Sequence, residues 1–435
     1  MTHPTPAADP GGRTAAPTPS PPGKGLRQGS VGLLGAVALG LSSVAPAYSI
    51  AVTLGLVTLS VGDLAPAALL LGFVPVLLTA FAFRELNRQM PDCGTTFVWT
   101  TRAFGPVAGW LLGGWVVQIA TLIAMTALSS VGATYLLHTL GLDAAADRPA
   151  VVTVTAVLLL AALTAIARRG LHLAASLQYV LLALQLLALF GFGAAALLRP
   201  HAAAPSTAWL DPLAFDDFGS CAQAVLLCLF IYWGWDSLIT VNEETKDSDR
   251  VPGRAVLVST FVLLGTYLFT AFATIAFAGT GDTGLGLGNP ANATDVLAGL
   301  APSVLGAGLA KAVELAICVS ALSALLTTLI SSSRATLSMA SHGALPPVFA
   351  RVHPRHRTPA TAALLSGAAA AVLLVLLQLL SPRFLGDAIL SIGLLIACYY
   401  ATTALACVWH FRGRLRASPP ATCSSRASCR CSAAS

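Results

Sequence analysis

Charged side chains are scarce in this chain, since Asp, Glu, Lys and Arg make up only 10% of its 435 residues. An ordinary soluble domain has about 25% charged residues, so the composition excludes that class. Aromatic residues are also few, at 7%, whereas the mean hydropathy is +0.79. Apolar runs of about 20 residues recur along the chain, and a helix of that length crosses a bilayer. The composition predicts an all-α integral membrane protein, because barrel strands would alternate in polarity.

Motifs of catalysis and of ATP binding are absent from the sequence. It contains no HExxH zinc motif and no phosphate-binding loop. The cysteines near the C-terminus, Cys423, Cys429 and Cys431, lack the CxxC spacing of a zinc site. We therefore predict no enzymatic activity, no cofactor and no metal. The net charge of +6 lies in the loops of a membrane protein and does not indicate a nucleic-acid partner.

Ten apolar spans can be read from the sequence, at about 30–57, 62–83, 106–138, 149–167, 172–198, 215–241, 252–278, 303–333, 360–381 and 384–410. Lys and Arg residues fall almost entirely in alternate loops, and only Arg148, Arg199 and Arg383 lie on the other side. Because cytoplasmic loops carry the excess of positive charge, both termini are predicted to be cytoplasmic. The predicted location is the cytoplasmic membrane, with the bilayer as a partner.

The ten spans divide into two equal groups. The first repeat covers about 30–198 and the second about 215–410. Five is an odd number, so the second group enters the membrane from the opposite side, which predicts an inverted 5+5 repeat. A disordered Pro-rich leader is expected at 1–28, the ten-helix core at 29–412, and a basic tail rich in Cys and Ser at 413–435.

Two spans are interrupted, and they stand five spans apart. Span 1 reads GLSSVAPAYSI at residues 40–50, and span 6 reads IYWGWDS at residues 231–237. Proline lacks an N–H and clashes with the preceding turn, so span 1 is expected to open near Pro46. Paired interruptions of this kind indicate a substrate site at mid-membrane. The predicted binding residues are Ser42, Ser43, Val44, Ala45, Pro46, Ile231, Tyr232, Trp233, Gly234, Trp235 and Asp236.

Each interruption also has a purely structural interpretation. The first could be a proline kink repaired by the hydroxyls of Ser42 or Ser43. The second could be an aromatic packing cluster in which Asp236 satisfies loose backbone amides. A carboxylate at the centre of a span costs about 2.5–3.5 kcal/mol on insertion scales, so Asp236 needs a partner, water or a proton. Its own role stays open at this point.

Four segments resemble the amino acid–polyamine–organocation permeases. They are SSVAPAYSI in span 1, FRELNRQMPDCGTTFVWTTRAFGPVAGW after span 2, YWGWDSLITVNEETKDSDRVPGRAV across span 6, and SSRATLSMASHGALPPVFARVHPRHRTP after span 8. The resemblance implies a twelve-span fold whose first ten spans form the inverted-repeat core, with discontinuous helices 1 and 6. It also implies secondary transport of amino acids or related amines by alternating access. Gly234, Trp235 and Asp236 stand where the family has Gly-Phe-Glu.

The resemblance also bears on coupling to a proton or a sodium ion. Some proton-coupled members have a lysine in span 5, but this span has none, and Gln185 stands at that place. Gln185 is expected to hydrogen-bond to Ser320 or Ser323 in span 8. Gln118 and Tyr399 are further candidates for pocket lining. Charges after span 6 form either a solvated helix end or part of an inner gate: Glu243, Glu244, Lys246, Asp247 and Arg250.

The C-terminal tail ends where the family would begin spans 11 and 12. Residues 420–435 can be back-translated with GC-rich codons so that another frame reads as an apolar run. We therefore expect a frameshift near residue 419, which the DNA sequence would test, and we expect helices 11 and 12 to be missing. Two alternatives to the amino acid transporter stay open: a transporter of another organic substrate such as a nucleobase, and a non-functional truncated permease.

Overall fold

The computed structural model describes residues 24–200, 202–293, 295–380 and 384–417, and α-helices dominate them. The α-helices are α1 (Leu33–Val44), α2 (Pro46–Val61), α3 (Ala65–Gln89), α4 (Thr96–Phe104), α5 (Pro106–Ala108), α6 (Val116–Thr139), α7 (Asp143–Ala146), α8 (Pro149–Arg169), α9 (Leu171–Leu197), α10 (Phe218–Tyr232), α11 (Val251–Ala278), α12 (Pro290–Ala293), α13 (Val296–Leu305), α14 (Ala307–Ser341), α15 (Ala360–Leu380) and α16 (Phe384–Ala417). A π-helix spans Gly109–Trp115, and 3₁₀-helices span Gly62–Leu64, Thr207–Leu210, Trp235–Glu244 and Pro347–Ala350.

Nine helical segments of the described chain are long and apolar enough to cross a membrane. The first, Leu33–Gln89, has 57 residues, far more than the roughly 20 residues that one crossing needs. Its helix is interrupted at Gly62, whose φ of 59° lies in the left-handed region where glycine carries no steric cost. This segment therefore holds two crossings, and the nine segments agree with the ten predicted spans.

The two broken helices pack side by side. α1 packs against the 3₁₀-helix Trp235–Glu244, and α2 packs against α10. Each half of the first broken helix therefore contacts one half of the second. α14 lies beside them, in contact with α6, α9, α1 and α2, and most of its side chains from Ala310 onward are buried. The two interruptions meet at the centre of this packing.

The chain ends require two corrections. Residues 24–28 were assigned to a disordered leader, but Leu26 is buried against Cys93 and Leu337, and Lys24 forms two ion pairs. The core was expected to end at residue 412, whereas α16 continues to Ala417. The first boundary is set by tertiary contacts and the second by the continuation of a helix. Composition shows neither of them. The rest of the predicted leader, 1–23, and the predicted tail from 418 to 435, with its frameshift, lie outside the described residues.

Candidate functional site

The first interruption is a single left-handed residue, Ala45, with φ 54° and ψ 62°. α1 ends at Val44 and α2 begins with Pro46, whose missing N–H cannot continue the helical ladder. The amide of Ala45 donates to the carbonyl of Ser42 at 3.3 Å instead. The first amides of α2 have no partner within their own helix. One of them, that of Tyr48, donates to the Ser320 hydroxyl at 3.3 Å.

The second interruption covers two residues, Trp233 and Gly234. Trp233 is extended, with φ −71° and ψ 145°, and Gly234 is left-handed, with φ 117°. The helical segment resumes at Trp235 as a 3₁₀-helix. The predicted break in span 6 is therefore present. A neighbouring helix, α11, stabilises the break, because the Tyr267 hydroxyl donates to the carbonyl of Ile231 at 3.0 Å.

The two interruptions contact each other directly. The Ser43 hydroxyl donates to the carbonyl of Gly234 at 2.6 Å. A Cβ atom on Gly234 would lie 2.5 Å from the carbonyl oxygen of Ser43, closer than real Cβ contacts come. Only glycine permits this approach, and its left-handed φ requires glycine as well. Residues 191 positions apart in sequence are therefore joined at one point.

A cavity opens at this contact, and we name it the central cavity. It is lined by Ser43, Val44, Ala45, Tyr48, Ser49, Thr121, Ala124, Ala127, Leu128, Phe230, Trp233, Gly234, Ser237, Thr328 and Ile392. A second cavity adjoins it and shares Thr121, Trp233 and Ser237. The second cavity is more polar, and its lining includes Gln118, Asp236, Thr240, Ser331, Ser332 and Tyr399. The two cavities are therefore neighbours beside the broken helices, and we call them together the path.

Asp236 stands in the lining of the second cavity, close to Trp233 at the boundary between the two. The Tyr399 hydroxyl donates to its carboxylate at 2.9 Å, and the indole N–H of Trp233 donates to the same hydroxyl at 2.5 Å. Trp233 itself lines both cavities. A change in the charge or position of Asp236 would therefore reach the central cavity through Tyr399 and Trp233.

The predicted binding residues fall into two groups. Ser43, Val44, Ala45, Trp233 and Gly234 line the central cavity, and Asp236 lines the second one. The others belong to neither lining: Ser42, Pro46, Ile231, Tyr232 and Trp235.

The positions of these residues have local causes. Tyr232 is turned towards α3, where its hydroxyl donates to the carbonyl of Leu69 at 3.2 Å. The ring of Trp235 packs against those of Phe83 and Tyr400. The aromatic packing interpretation is thus correct for these two side chains, whereas Trp233 faces the cavities.

The polar residues proposed for spans 3, 5 and 8 form two networks. Of the two partners predicted for Gln185, Ser320 and Ser323, the first is the one observed, since the Ser320 hydroxyl donates to the Gln185 side-chain oxygen at 2.7 Å. Ser323 pairs instead with Gln178, which lies about two helical turns before Gln185 in α9. Because Ser320 also accepts from the Tyr48 amide, this network reaches the first interruption.

The second network surrounds Gln118, which lines the second cavity as expected. Its amide nitrogen donates to the Thr336 hydroxyl at 2.5 Å and to the Ser332 carbonyl at 3.3 Å. The Ser332 hydroxyl donates back to the Gln118 oxygen at 2.9 Å. These bonds tie α6 to α14 beside the path.

An ion-pair cluster lies near the N-terminus of α1, and it comprises two sets of charges: Lys24 with Asp92 and Glu243, and Glu244 with Arg334. The Lys24 ammonium lies 2.7 Å from one carboxylate oxygen of Asp92 and 2.7 Å from one of Glu243. It thereby connects three chain segments that are distant in sequence. The solvated-end interpretation is wrong for Glu243 and Glu244, and it holds for the exposed Lys246, Asp247 and Arg250.

The cluster's charges stabilise one another. Burial alone would raise the pKa of Asp92, but the Lys24 ammonium outweighs it and holds this pKa below its ordinary value of 3.8. Burial alone would lower the pKa of Lys24, but the neighbouring carboxylates outweigh it, and the pKa is raised above 10.5. The Lys24–Asp92 bridge is therefore lost only as pH falls below the ordinary Asp range or rises above the ordinary Lys range.

Two further features of the cluster were not expected from the sequence. Asp92, Cys93 and Glu243 bring ligand atoms within 4.8 Å of one another, a spacing that suits a metal ion. Here the Lys24 ammonium supplies the positive charge between them. Glu244 and Arg334 form a separate pair, 2.5 Å apart, and both side chains are 1% exposed.

Comparison with known proteins agrees with this architecture. A solved structure, that of MhsT in complex with L-phenylalanine, superposes with a TM-score of 0.60 over 86% of this chain and 88% of that chain. At 16% identity this similarity establishes the fold, an inverted-repeat transporter fold with broken helices 1 and 6. An uncharacterized transporter of Mycobacterium tuberculosis is 28% identical over 363 residues, which are 79% of this chain and 73% of the relative.

A mouse relative, cationic amino acid transporter 4, is 26% identical over 388 residues, 83% of this chain and 56% of the relative. The amino acid permease family model matches residues 31–422, nearly the whole chain. The prediction of a transporter, and not an enzyme, is confirmed by these matches. The chain therefore belongs to the amino acid permease family, and it is a multi-pass membrane protein that transports amino acids or related amines.

Proposed function

We propose that the substrate binds in the central cavity, between the two interruptions. The first amides of α2 would bind its carboxylate, and the backbone carbonyls of Ser43 and Trp233 would accept from its ammonium group. The observation that carries this proposal is the Ser43–Gly234 contact, which brings both interruptions to one wall of one cavity. Peptide groups released from helices at mid-membrane need polar partners, and a zwitterion supplies both signs of charge.

Alternating access would depend on the ion-pair cluster. We place it on the cytoplasmic side, with both termini, because the Lys and Arg residues concentrate in the loops of that side. In this arrangement the cluster closes the path from the second cavity to the cytoplasm. Its five charges lie on four separate segments of the chain, so opening the path would require these segments to separate. The membrane is proposed to be the cytoplasmic membrane.

The test of this function is uptake into proteoliposomes. A panel of labelled amino acids, amines and one nucleobase is offered with an imposed proton gradient, with a sodium gradient, or with neither. We expect at least one amino acid or amine to accumulate. Accumulation of the nucleobase alone would favour the alternative substrate class. A chain that inserts and moves no member of the panel would favour the non-functional truncated permease.

Asp236 is proposed to carry the coupling proton, because it is the one carboxylate in the lining of the second cavity, as far as the chain is described. Asp236→Asn keeps the size of the side chain and removes the charge. We expect gradient-driven accumulation to fall by roughly tenfold or more, whereas exchange of internal for external substrate continues. The measurement compares the two modes in the same vesicles. Equal losses in both modes would show that Asp236 serves binding or structure and not coupling.

Lys24 is proposed to hold the path closed on the cytoplasmic side. Lys24→Ala removes charge-assisted bonds to two carboxylates, worth about 1.5–3 kcal/mol each, so the open form becomes more populated. Cys93 is fully buried beneath Lys24 and reports this change. We expect labelling of Cys93 by an impermeant maleimide to accelerate by roughly tenfold or more.

The matched control for this experiment is Lys246→Ala, because Lys246 is exposed beside the same cluster. A Cys93→Ser background corrects for the other cysteines. If Lys24→Ala and Lys246→Ala label at the same rate as the parent protein, Lys24 does not hold the path closed.

A further inference from the structure

The walls of the central cavity carry no charged side chain among the described residues that line it. Beyond the two interruptions the wall includes the small or apolar side chains of Ala124, Ala127, Leu128, Phe230 and Ile392, together with the uncharged Thr121 and Thr328. Backbone groups at the interruptions can meet the two charges of a zwitterion. A third charge, on a substrate side chain, would have no counter-ion within this lining, and burial of an unpaired charge is strongly unfavourable.

The size of the cavity sets a second limit. The centre of a water-sized sphere can move through about 40 Å³ of it. One water needs about 10–15 Å³ on this measure, so the cavity has room for roughly three water-sized groups. This is the scale of a small amino acid. Phe230 and Leu128 are bulky apolar side chains in its wall.

One polar group in the wall lacks a partner. The Tyr48 side chain is 2% exposed, and its hydroxyl has no hydrogen-bond partner within the described chain. Other hydroxyls of the wall already donate to backbone carbonyls, namely those of Ser43, Ser49, Thr121 and Thr328. Buried hydroxyls are nearly always hydrogen-bonded, so an unpaired one in the wall of a cavity points to a ligand.

We propose that this protein selects a small zwitterionic amino acid with an uncharged side chain, and that the Tyr48 hydroxyl hydrogen-bonds to it. The inference rests on the proposed function, which places the substrate in the central cavity. It names the substrate class, and it makes Tyr48 a specificity-determining residue. It also separates this chain from its mouse relative, whose name specifies cationic amino acids.

The substrate class is tested by competition against uptake of labelled L-alanine in proteoliposomes. We expect unlabelled glycine, serine and valine to compete roughly tenfold or more better than lysine, arginine, putrescine or tryptophan. Equal or better competition by lysine, arginine or putrescine would overturn the substrate class and leave the proposed function intact. If no amino acid or amine is taken up or binds, the proposed function itself fails.

The role of Tyr48 is tested by Tyr48→Phe, which removes only the hydroxyl. Loss of one hydrogen bond in the bound state predicts a rise of about three- to tenfold in the KM for alanine, with little change in maximal rate. Tyr179→Phe is the matched control, because Tyr179 is 41% exposed on α9 and does not line the cavity. An equal KM in both variants would overturn the role of Tyr48.

A second variant tests the size limit without relying on Tyr48. Phe230→Ala enlarges the cavity on its apolar side. We expect the ratio of kcat/KM for phenylalanine to that for alanine to rise by roughly tenfold or more. An unchanged ratio in a correctly inserted variant would show that Phe230 does not limit the size of the substrate.

Discussion

Gly234→Ala is expected to abolish uptake while the protein still inserts into the membrane. Two effects act together at this position. An alanine at φ 117° is strained by about 1–3 kcal/mol. Its Cβ would also lie 2.5 Å from the Ser43 carbonyl oxygen and 2.9 Å from the carbonyl carbon, and overpacking of this kind costs about 1–3 kcal/mol. Both are backbone atoms, so no side-chain rotation relieves the contact.

The two interruptions would therefore have to separate. Their separation breaks the Ser43–Gly234 hydrogen bond and widens the wall of the central cavity on which substrate binding is proposed to depend. The combined cost of roughly 2–6 kcal/mol corresponds to at least a 30-fold loss of uptake rate. The measurement is initial-rate uptake in proteoliposomes, normalised to the amount of protein that is inserted and monodisperse after extraction.

Gly265→Ala is the matched control for this prediction. Gly265 lies within α11, and a Cβ atom there would meet no heavy atom of the described chain within 4 Å. An alanine in a helix interior is slightly stabilising, so uptake should stay at the level of the parent protein. If Gly234→Ala transports with the same KM and maximal rate as Gly265→Ala, the close approach of the interruptions is not required for transport.

The two interruptions could be predicted from sequence because their causes are local. Pro46 cannot donate to the turn before it, and Gly234 can adopt a left-handed φ wherever it stands. The structure places the breaks at Ala45 and at residues 233–234, within the predicted segments. The orientation of neighbouring side chains is less local. Trp233 and Trp235 lie on either side of the left-handed Gly234, so helical periodicity does not relate their directions, and Trp233 lines the cavities whereas Trp235 does not.

The ion-pair cluster could not be predicted, because its partners are distant in sequence. Lys24 is 68 residues from Asp92 and 219 residues from Glu243. In the sequence, Lys24 belongs to a Pro-rich leader, and Glu243 and Glu244 belong to a run of charges that resembles a solvated helix end. Only tertiary packing distinguishes the buried Glu244 from the exposed Lys246, two residues further on. Arg334 lies in a polar segment after span 8, and nothing in that segment predicts that its side chain is buried.

Arg334→Ala is expected to cause a large loss of stability. The Arg334 guanidinium donates to Glu244 at 2.5 Å and to the carbonyl of Ile330 at 3.2 Å, and its side chain is buried. Removal of one partner leaves the Glu244 carboxylate buried and unpaired, which costs about 3–5 kcal/mol. We expect a lower midpoint temperature of thermal unfolding and a loss of uptake, measured on the same purified protein.

Two comparisons separate the effect of burial from the loss of an ion pair as such. Lys311 and Glu314, also on α14, are 2.9 Å apart, but the Lys311 side chain is 44% exposed, so Lys311→Ala should lower the stability much less than Arg334→Ala. The double variant Arg334→Met with Glu244→Leu removes both buried charges and should recover most of the lost stability. If Arg334→Ala destabilises no more than Lys311→Ala, the buried pair does not stabilise the closed path. If the double variant recovers stability but not uptake, the charges of Glu244 and Arg334 are needed for the reversible opening of the path.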